Sequence, residues 1–186
     1  PEVVAMAGSF GAFEAIHAEA YARLNDELGL DDFQAFMEDE ASRSKIERLL
    51  ETPSETLEEK ALALAIFSAF TEGVNLFSSF AILMSFQLRN LLKGTGQIVE
   101  WSVRDESLHS KAGCWLFKTL LSESPELDTP KMREQVTEAC HLSVKLEYDF
   151  IDKAFEMGDI EGLTKDQLKN FIKARANDKM VELGYK

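Results

Sequence analysis

The chain has 186 residues, of which 45% are hydrophobic, and only 10 are glycine and 4 are proline. This length suits one domain with a sizeable core, and this composition favours a mostly helical globular protein. The formal net charge of −13 argues against nucleic acid or an anionic membrane as a direct partner, because both carry negative charge themselves.

Two further features bear on where the protein works. Cys114 and Cys140 are too few for a disulfide framework, and their helical surroundings indicate buried, reduced thiols in a cytoplasmic protein. The sequence shows no signal peptide. The run 61–86 is apolar enough to suggest a membrane span, but Glu72 and Asn75 near its middle favour a buried helix of a soluble bundle.

Hydrophobic periodicity and helix punctuation predict six helices, no strand and short linkers, hence a single compact bundle. The predicted ranges are 3–27 (ending at Gly29), 31–50, 56–93 (capped by Ser54 or Thr56 and ended by 94–96), 98–122, 131–157 and 164–183. The chain begins at Pro1 without an initiator methionine and enters a helical pattern at once. We therefore expect a piece of a longer protein.

A glutamate and a histidine three residues apart occur as Glu14-His17 in the first helix and as Glu106-His109 in the fourth. Such a pair points the same way within one helical turn, and a carboxylate beside an imidazole suits a divalent transition metal. Glu72 stands alone in the apolar third helix, where an unpaired carboxylate is costly unless a cation compensates it. The ligand set of dinuclear iron and manganese four-helix bundles is two such pairs plus single carboxylates from two other helices. This sequence offers five of those six ligands.

Each of these signals also has a plainer interpretation. The two pairs could be solvated helix faces with satisfied histidines, and Glu72 could form an ion pair with a residue such as Arg104. A third pair, Glu138-His141, has the same spacing, but no single carboxylate is positioned to complete it. We therefore expect His141 not to bind metal.

Tyr21 follows His17 by one turn on the same helical stripe, so its ring is predicted near the metals without being a ligand. A dinuclear site kept dry can reduce dioxygen and generate a strong oxidant, and a phenol beside it can lose an electron and a proton. The alternative is a core tyrosine whose hydroxyl bonds to a carboxylate. The phenylalanines expected to surround Glu72 are Phe67, Phe70, Phe77, Phe80 and Phe86.

Taken together, these motifs resemble the radical-generating small subunit of class I ribonucleotide reductase. The resemblance is carried by Glu14-x-x-His17-x-x-x-Tyr21, Glu72-Gly73, Arg104-Asp105-Glu106-x-x-His109 and the closing Ala176-Asn177-Asp178-Lys179-x-x-x-Leu183-Gly184. It implies an all-α, ferritin-like helical bundle over residues 1–186. In its four-helix core it would hold a dinuclear Fe, Mn or mixed Mn/Fe centre, with additional helices around that core.

The resemblance also implies a role for individual residues. The metal ligands would be Glu14, His17, Glu72, Glu106 and His109. Tyr21 would be oxidised to a stable radical, with Phe80 packed around it. Asp105 would hydrogen-bond to His17 and help couple the metal site to the radical path. The radical would serve ribonucleotide reduction by a separate large catalytic subunit, and the small subunit would itself be a homodimer.

The sequence departs from this family's pattern in three ways. Leu76 and Ser102 stand where the family often has Phe and Ile beside the radical tyrosine. The family's first carboxylate ligand would lie upstream of Pro1, and its C-terminal docking tail would follow Lys186. From the resemblance we therefore expect a metal-site core, truncated at both ends and inactive alone.

Two other functions would use similar ligands. A desaturase-like di-iron oxidase or oxygenase would need a substrate channel, and Tyr21 four residues after His17 favours the reductase subunit instead. A ferritin-type iron-binding protein predicts a shorter, near-uniform four-helix chain, and two additional helices count against it. A helical scaffold without metal leaves Glu72 unexplained.

Overall fold

The computed structural model of the chain describes residues 1–30, 38–40, 43–44, 55–156 and 158–185. Within these ranges the regular structure is helical, apart from one isolated bridge between Ile160 and Leu163, which confirms the all-α prediction. The helices are α1 (Glu2–Leu28), α2 (Leu57–Ala65), α3 (Phe77–Leu88), α4 (Lys93–Glu123), α5 (Pro130–Glu156) and α6 (Lys165–Leu183). A π-helix (Ile66–Thr71) continues α2, and a 3₁₀ turn (Pro125–Leu127) precedes α5.

Several helix ends follow directly from local chemistry. Gly29 closes α1 in the left-handed conformation with φ 67°, which costs glycine little. Thr56 and Thr164 begin α2 and α6 with reciprocal capping boxes, the first with Glu59 and the second with Gln167. The cap at Thr164 was predicted, and of the two caps predicted for α2, Ser54 or Thr56, the structure has Thr56. The predicted second helix, 31–50, lies almost wholly outside the described residues.

The prediction of one continuous helix over 56–93 is wrong. The amide of Glu72 donates to the carbonyl of Phe67 at 3.0 Å and that of Asn75 donates to Phe70 at 2.8 Å, so the bonds reach back five residues instead of four. This π-turn register inserts an extra residue per turn and changes which side chains face inward. Residues 72–76 then form turns before α3 begins, and Glu72 lies at this interruption.

The same predicted helix also ends earlier than expected. Asn90 adopts φ 64°, a left-handed conformation that asparagine tolerates better than most residues. The amide of Leu91 donates to the carbonyl of Phe86 at 3.0 Å, which closes α3 in a Schellman-type end. Because α4 begins at Lys93, the predicted break at 94–96 lies in the first turn of α4.

The core lies where α4, α5 and α6 surround the segment formed by α2, the π-helix and α3. Its largest fully buried apolar side chains include Phe70, Phe117, Met132, Ile151, Leu168 and Ile172. Helix α1 packs against α4 and contributes no buried residue within the described structure. None of the helices that the structure describes combines the length and the apolar character that crossing a membrane would require.

Gly113 permits the close approach of α4 to the π-helix. A Cβ atom built on Gly113 would lie 2.5 Å from Cβ of Ser68. We expect Gly113→Ala to lower the free energy of unfolding by about 1–3 kcal/mol, as overpacking does, despite the better helix propensity of alanine.

Urea unfolding of a double-mutant cycle would test this steric origin. In a Ser68→Gly background the clash is removed, so Gly113→Ala should cost much less there. Gly94→Ala is the matched control on the same helix, because a Cβ atom at Gly94 meets nothing within 4 Å. An equal cost of Gly113→Ala in both backgrounds would contradict the explanation.

Candidate metal centre

Three glutamates and a histidine from three separate segments converge on one point. A ligand atom from each of Glu14, Glu72, Glu106 and His109 lies within 4.8 Å of the others. Nδ1 of His109 is 3.2 Å from Glu14 and 3.5 Å from each of the other two carboxylates. α1 supplies Glu14, the turn after the π-helix supplies Glu72, and one face of α4 supplies the remaining pair.

One ring nitrogen of His17 faces this cluster, and the other is hydrogen-bonded to Asp105. Its Nδ1 is 3.2 Å from Oε1 of Glu106 and 3.8 Å from Oε2 of Glu14. Its Nε2 is 3.1 Å from Oδ2 of Asp105. A proton on Nε2 would be donated to Asp105, which leaves the Nδ1 lone pair directed at the carboxylates. This arrangement of an imidazole between a carboxylate and a cluster is typical of metal-ligating histidines.

The cluster fits a cationic group because its polar atoms are not satisfied by the protein. Buried atoms that make no hydrogen bond in the described structure include Nδ1 of His17, Oε2 of Glu72, Oε2 of Glu106 and Nε2 of His109. Leaving several buried polar atoms and negative charges unpaired is costly unless a cation compensates them. A set of carboxylate oxygens and imidazole nitrogens suits iron and manganese.

Burial and mutual repulsion change the acidity of the central carboxyl groups. Burial, the hydrogen bond with Glu72, and the charges of Glu72 and Glu14 raise the pKa of Glu106 to about 9. Burial also raises the pKa of Glu72 above its usual value. In the absence of a cation, the folded protein therefore holds a proton at this site that the unfolded chain releases.

This difference predicts that the metal-free protein becomes less stable as the pH rises. Between about pH 4.5 and about pH 9, the folded state binds more protons at Glu106 than the unfolded state does, so the free energy of unfolding falls with pH. The slope reaches about 1.4 kcal/mol per pH unit at most. Urea unfolding of chelator-treated protein across this range would measure it.

Glu106→Gln should flatten this slope, because the amide does not titrate. Glu138→Gln is the matched control, since Glu138 is exposed on α5 and should leave the slope unchanged. A Glu106→Gln variant with the slope of the unmodified chain would contradict the prediction. Added metal should reverse the trend, because its ligands must be deprotonated to bind it.

The hydroxyl of Tyr21 bonds to a serine. It donates to Oγ of Ser102 at 2.8 Å, and Ser102 in turn donates to the carbonyl of Ile98 at 3.2 Å. The alternative that Tyr21 bonds to a carboxylate is therefore wrong. Burial raises the pKa of Tyr21, which keeps this phenol protonated.

The phenylalanines around the cluster differ in part from those expected. Phe67 is 52% exposed, whereas Phe70, Phe77 and Phe80 are buried, and the contact of these rings with Glu72 stays a prediction. The rings of Phe10 and Phe13 lie 4.0 Å and 5.9 Å from the ring of His109. Both precede Glu14 on the α1 stripe, a signal that could have identified them.

Phe80 is buried in the core, where its ring packs edge to face on Phe77 with centroids 5.5 Å apart. Its packing around Tyr21 stays a prediction.

The structure also bears on the plainer interpretation of Glu72 and on the third Glu-x-x-His pair. The Arg104 side chain is 69% exposed and pairs with Glu100, so the suggested ion pair with Glu72 is wrong. His141 is exposed on α5, outside the cluster.

Two residues of α6 hold the turn that carries Glu72: Arg175, which no sequence motif had indicated, and Lys179 of the closing motif. Nε–H of Arg175 donates to the carbonyl of Gly73 at 2.9 Å, and its guanidinium lies 3.2 Å from the ring centroid of Phe77. A Cβ atom on Gly73 would lie 2.8 Å from Cε of the buried Lys179. Helix α6 thus fixes the backbone next to Glu72 through contacts about a hundred residues apart in the chain.

Comparison with known protein families shows which family the sequence belongs to. A sequence model described as ribonucleotide reductase, small chain, matches residues 1–186. The chain belongs to this family. The two Glu-x-x-His pairs and Glu72 are among the motifs that carried the resemblance to this family.

Several relatives show how far the similarity extends. The chain is 36% identical over 205 residues to a probable ribonucleoside-diphosphate reductase small subunit of Invertebrate iridescent virus 3, covering 100% of this chain and 54% of that protein. It is 24% identical to the ribonucleoside-diphosphate reductase subunit beta of Chlamydia pneumoniae, covering 93% and 54% of the two chains. The chain thus spans about half the length of these relatives.

A solved structure shows the same fold. A putative class I ribonucleotide reductase from Bacillus halodurans superposes with a TM-score of 0.90 at 23% identity, covering 98% of this chain and 68% of that one. The predicted fold class, an all-α, ferritin-like helical bundle, is therefore confirmed.

Proposed function

We propose that this chain is the metal- and radical-bearing part of a ribonucleoside-diphosphate reductase small subunit. The observation that carries the proposal is the convergence of three carboxylates and two imidazoles from α1, the turn after the π-helix and α4. Tyr21 lies on α1, one turn beyond His17, and its hydroxyl reaches α4. Membership of the ribonucleotide reductase small-chain family supports assigning this arrangement to metal binding and radical formation.

In this proposal the residues that hold a dinuclear Fe, Mn or mixed Mn/Fe centre are Glu14, His17, Glu72, Glu106 and His109. Such a centre supplies, when bound, the oxidising equivalent that removes one electron from a nearby phenol. Glu106 lies between the two histidines, 3.2 Å from His17 and 3.5 Å from His109, so it would be a central ligand of the bound centre.

The chain's own residues prepare the oxidation of the phenol. Asp105 accepts the proton of His17 Nε2 at 3.1 Å, which keeps Nδ1 free as a ligand and links the site to the surface of α4. Tyr21 gives up one electron and its phenolic proton and becomes the radical. Phe80 and its neighbours keep water from the ring.

The partners and the setting also belong to the proposal. The radical would pass to a large catalytic subunit that reduces ribonucleotides, and the small subunit would be a cytoplasmic homodimer. These statements rest on family membership, whose relatives are longer than this chain.

Metal loading followed by oxidation tests the proposal. The chain would be loaded with Fe(II) without air, desalted and analysed for iron, and then exposed to dioxygen and examined by electron paramagnetic resonance (EPR). We expect about two metals per chain and the signal of a tyrosyl radical. A parallel sample with Mn(II) would show which metal the site prefers. A chain that retains no metal under either condition would contradict the proposal.

A further inference from the structure

The contact of Tyr21 with Ser102 joins the first helix to the helix that carries two ligands. Ser102 is only 2% exposed and accepts the phenolic hydrogen at 2.8 Å. It precedes Glu106 by four residues on α4, so both side chains lie on one face of the same rigid helix. The phenol oxygen is thereby fixed relative to the metal cluster by a single side chain.

We propose that Ser102 is the positioning residue of the Tyr21 radical, and that its hydroxyl stays hydrogen-bonded to the Tyr21 oxygen in both oxidation states. In the reduced state Ser102 accepts from the phenol, and in the oxidised state it turns and donates to the phenoxyl oxygen. This inference rests on the proposed function, because the oxidation of Tyr21 belongs to that proposal.

The chemistry of a serine hydroxyl makes this exchange possible. It is both a donor and an acceptor, and in the reduced state its hydrogen is directed to the carbonyl of Ile98 at 3.2 Å. That carbonyl also accepts an amide hydrogen within α4, so it keeps a partner when the hydroxyl rotates. The phenoxyl oxygen has lost its hydrogen and can only accept, and Ser102 is the buried donor beside it.

The balance of the oxidation leaves Ser102 unchanged. Tyr21 gives one electron and one proton to the dioxygen-derived oxidant of the proposed centre. Ser102 keeps its own proton throughout, and the only change at this residue is rotation about the Cβ–Oγ bond. Two hydrogen bonds are lost, the one that the phenol donated to Ser102 and the one from Ser102 to the Ile98 carbonyl, and one from Ser102 to the phenoxyl oxygen forms.

If Ser102 donates a hydrogen bond to the Tyr21 radical, the EPR spectrum of the radical will show it, whereas a residue that only fills space leaves the spectrum unchanged. A hydrogen bond to a phenoxyl oxygen lowers the largest g-value of the radical and introduces a hyperfine coupling to an exchangeable proton. A serine that only filled space would affect neither quantity. The coupling must disappear when the sample is prepared in D₂O.

The experiment uses radicals made in two ways. In a Tyr148→Phe/Tyr185→Phe background, Tyr21 is the remaining tyrosine of the three in the sequence. One sample is loaded with iron and exposed to dioxygen, and a second, metal-free sample is photolysed in frozen solution with near-ultraviolet light. Electron-nuclear double resonance in H₂O and D₂O then measures the exchangeable coupling.

We expect the exchangeable proton coupling in the background protein and in Ser102→Thr, which keeps the hydroxyl. In Ser102→Ala we expect this coupling to be lost and the largest g-value of the radical to rise. Ser143→Ala, which removes another buried serine, should leave both quantities unchanged. An unchanged coupling in Ser102→Ala would overturn the inference. So would a radical without exchangeable coupling in the background protein, a result that needs no folded variant.

The two preparations separate this inference from the proposed function. If the iron-loaded sample gives no radical, the proposed function fails for an iron centre, but the photolysed sample still reports on Ser102. If both samples give a Tyr21 radical and neither shows a coupling that depends on Ser102, the proposed function stands and the inference about Ser102 is wrong.

Discussion

Replacing Glu106 by alanine is expected to abolish metal binding, whereas replacing Glu138 should not affect it. Glu106 is 4% exposed, and its oxygens lie 3.2 Å from His17 and 3.5 Å from His109. Loss of this carboxylate removes both the charge and the oxygen between the two imidazoles. Because even outer hydrogen-bond partners of metal ligands are worth about 10–100-fold in affinity, we expect a larger loss here.

The measurement is metal content after anaerobic Fe(II) loading and desalting, supported by titration calorimetry. Glu138→Ala is a matched control, because Glu138 has the same Glu-x-x-His spacing, to His141, but both side chains are exposed on α5. Retention of about two metals per chain by Glu106→Ala would show that Glu106 is not a ligand. Equal losses in the two variants would indicate non-specific binding.

A loss of metal must be separated from a loss of folding. In the metal-free protein Glu106 is a buried carboxyl group with its pKa raised to about 9, so its removal relieves an unfavourable burial of charge at higher pH. The metal-free Glu106→Gln variant should therefore be at least as stable as the unmodified chain near neutral pH. Glu106→Gln also removes the carboxylate charge, so in this one variant metal binding should fall while stability does not, as expected for a side chain kept for function.

The parts of the site that the sequence predicted are those fixed within one helical turn. The spacing of Glu14 and His17, and of Glu106 and His109, determines that each pair shares a helix face whatever surrounds it. Capping chemistry is equally local, and it correctly located the beginning of α6 at Thr164. Glu72 was identified by the energetic cost of a carboxylate in an apolar run.

The parts that the sequence did not predict depend on contacts between distant segments. The π-turn before Glu72 differs from an α-helix only in which carbonyl each amide meets, and no residue type in that run specifies the choice. The bond from Arg175 to Gly73 joins positions about a hundred residues apart. Ser102 was visible only as a departure from the family pattern, and its contact with Tyr21 required the packing of α1 on α4.

These non-local contacts explain how an interrupted helix can hold the Glu72 side chain in place. The backbone hydrogen bonds of the turn at 72–76 are irregular, because the amides of Glu72 and Asn75 reach back five residues and that of Val74 reaches back four. Arg175 compensates by binding the Gly73 carbonyl, and burial lowers the pKa of Arg175 to about 10, still high enough to keep its charge near neutral pH. Glu72, the proposed metal ligand outside the two Glu-x-x-His pairs, is therefore supported by α6.

Tyr21→Phe is expected to eliminate the tyrosyl radical while leaving the metal content unchanged. Phenylalanine fills the same volume, but it has no hydroxyl and is far harder to oxidise. Tyr21 is not among the residues of the metal cluster, so the variant should still retain about two metals per chain. EPR after metal loading and exposure to dioxygen would measure the radical, and elemental analysis would measure the metal.

Tyr148→Phe provides the matched control for this prediction. Tyr148 is also partly buried, and its hydroxyl donates one hydrogen bond, to the carbonyl of Lys169 at 3.2 Å, so each variant loses one phenolic hydrogen bond. The radical signal should persist in Tyr148→Phe at the level of the unmodified chain. A radical signal that persists in Tyr21→Phe and disappears in Tyr148→Phe would show that the radical is on Tyr148 of α5 and not on Tyr21 of α1. The site formed by Glu14, Glu72, Glu106 and His109 would then have to oxidise a phenol that is not next to it.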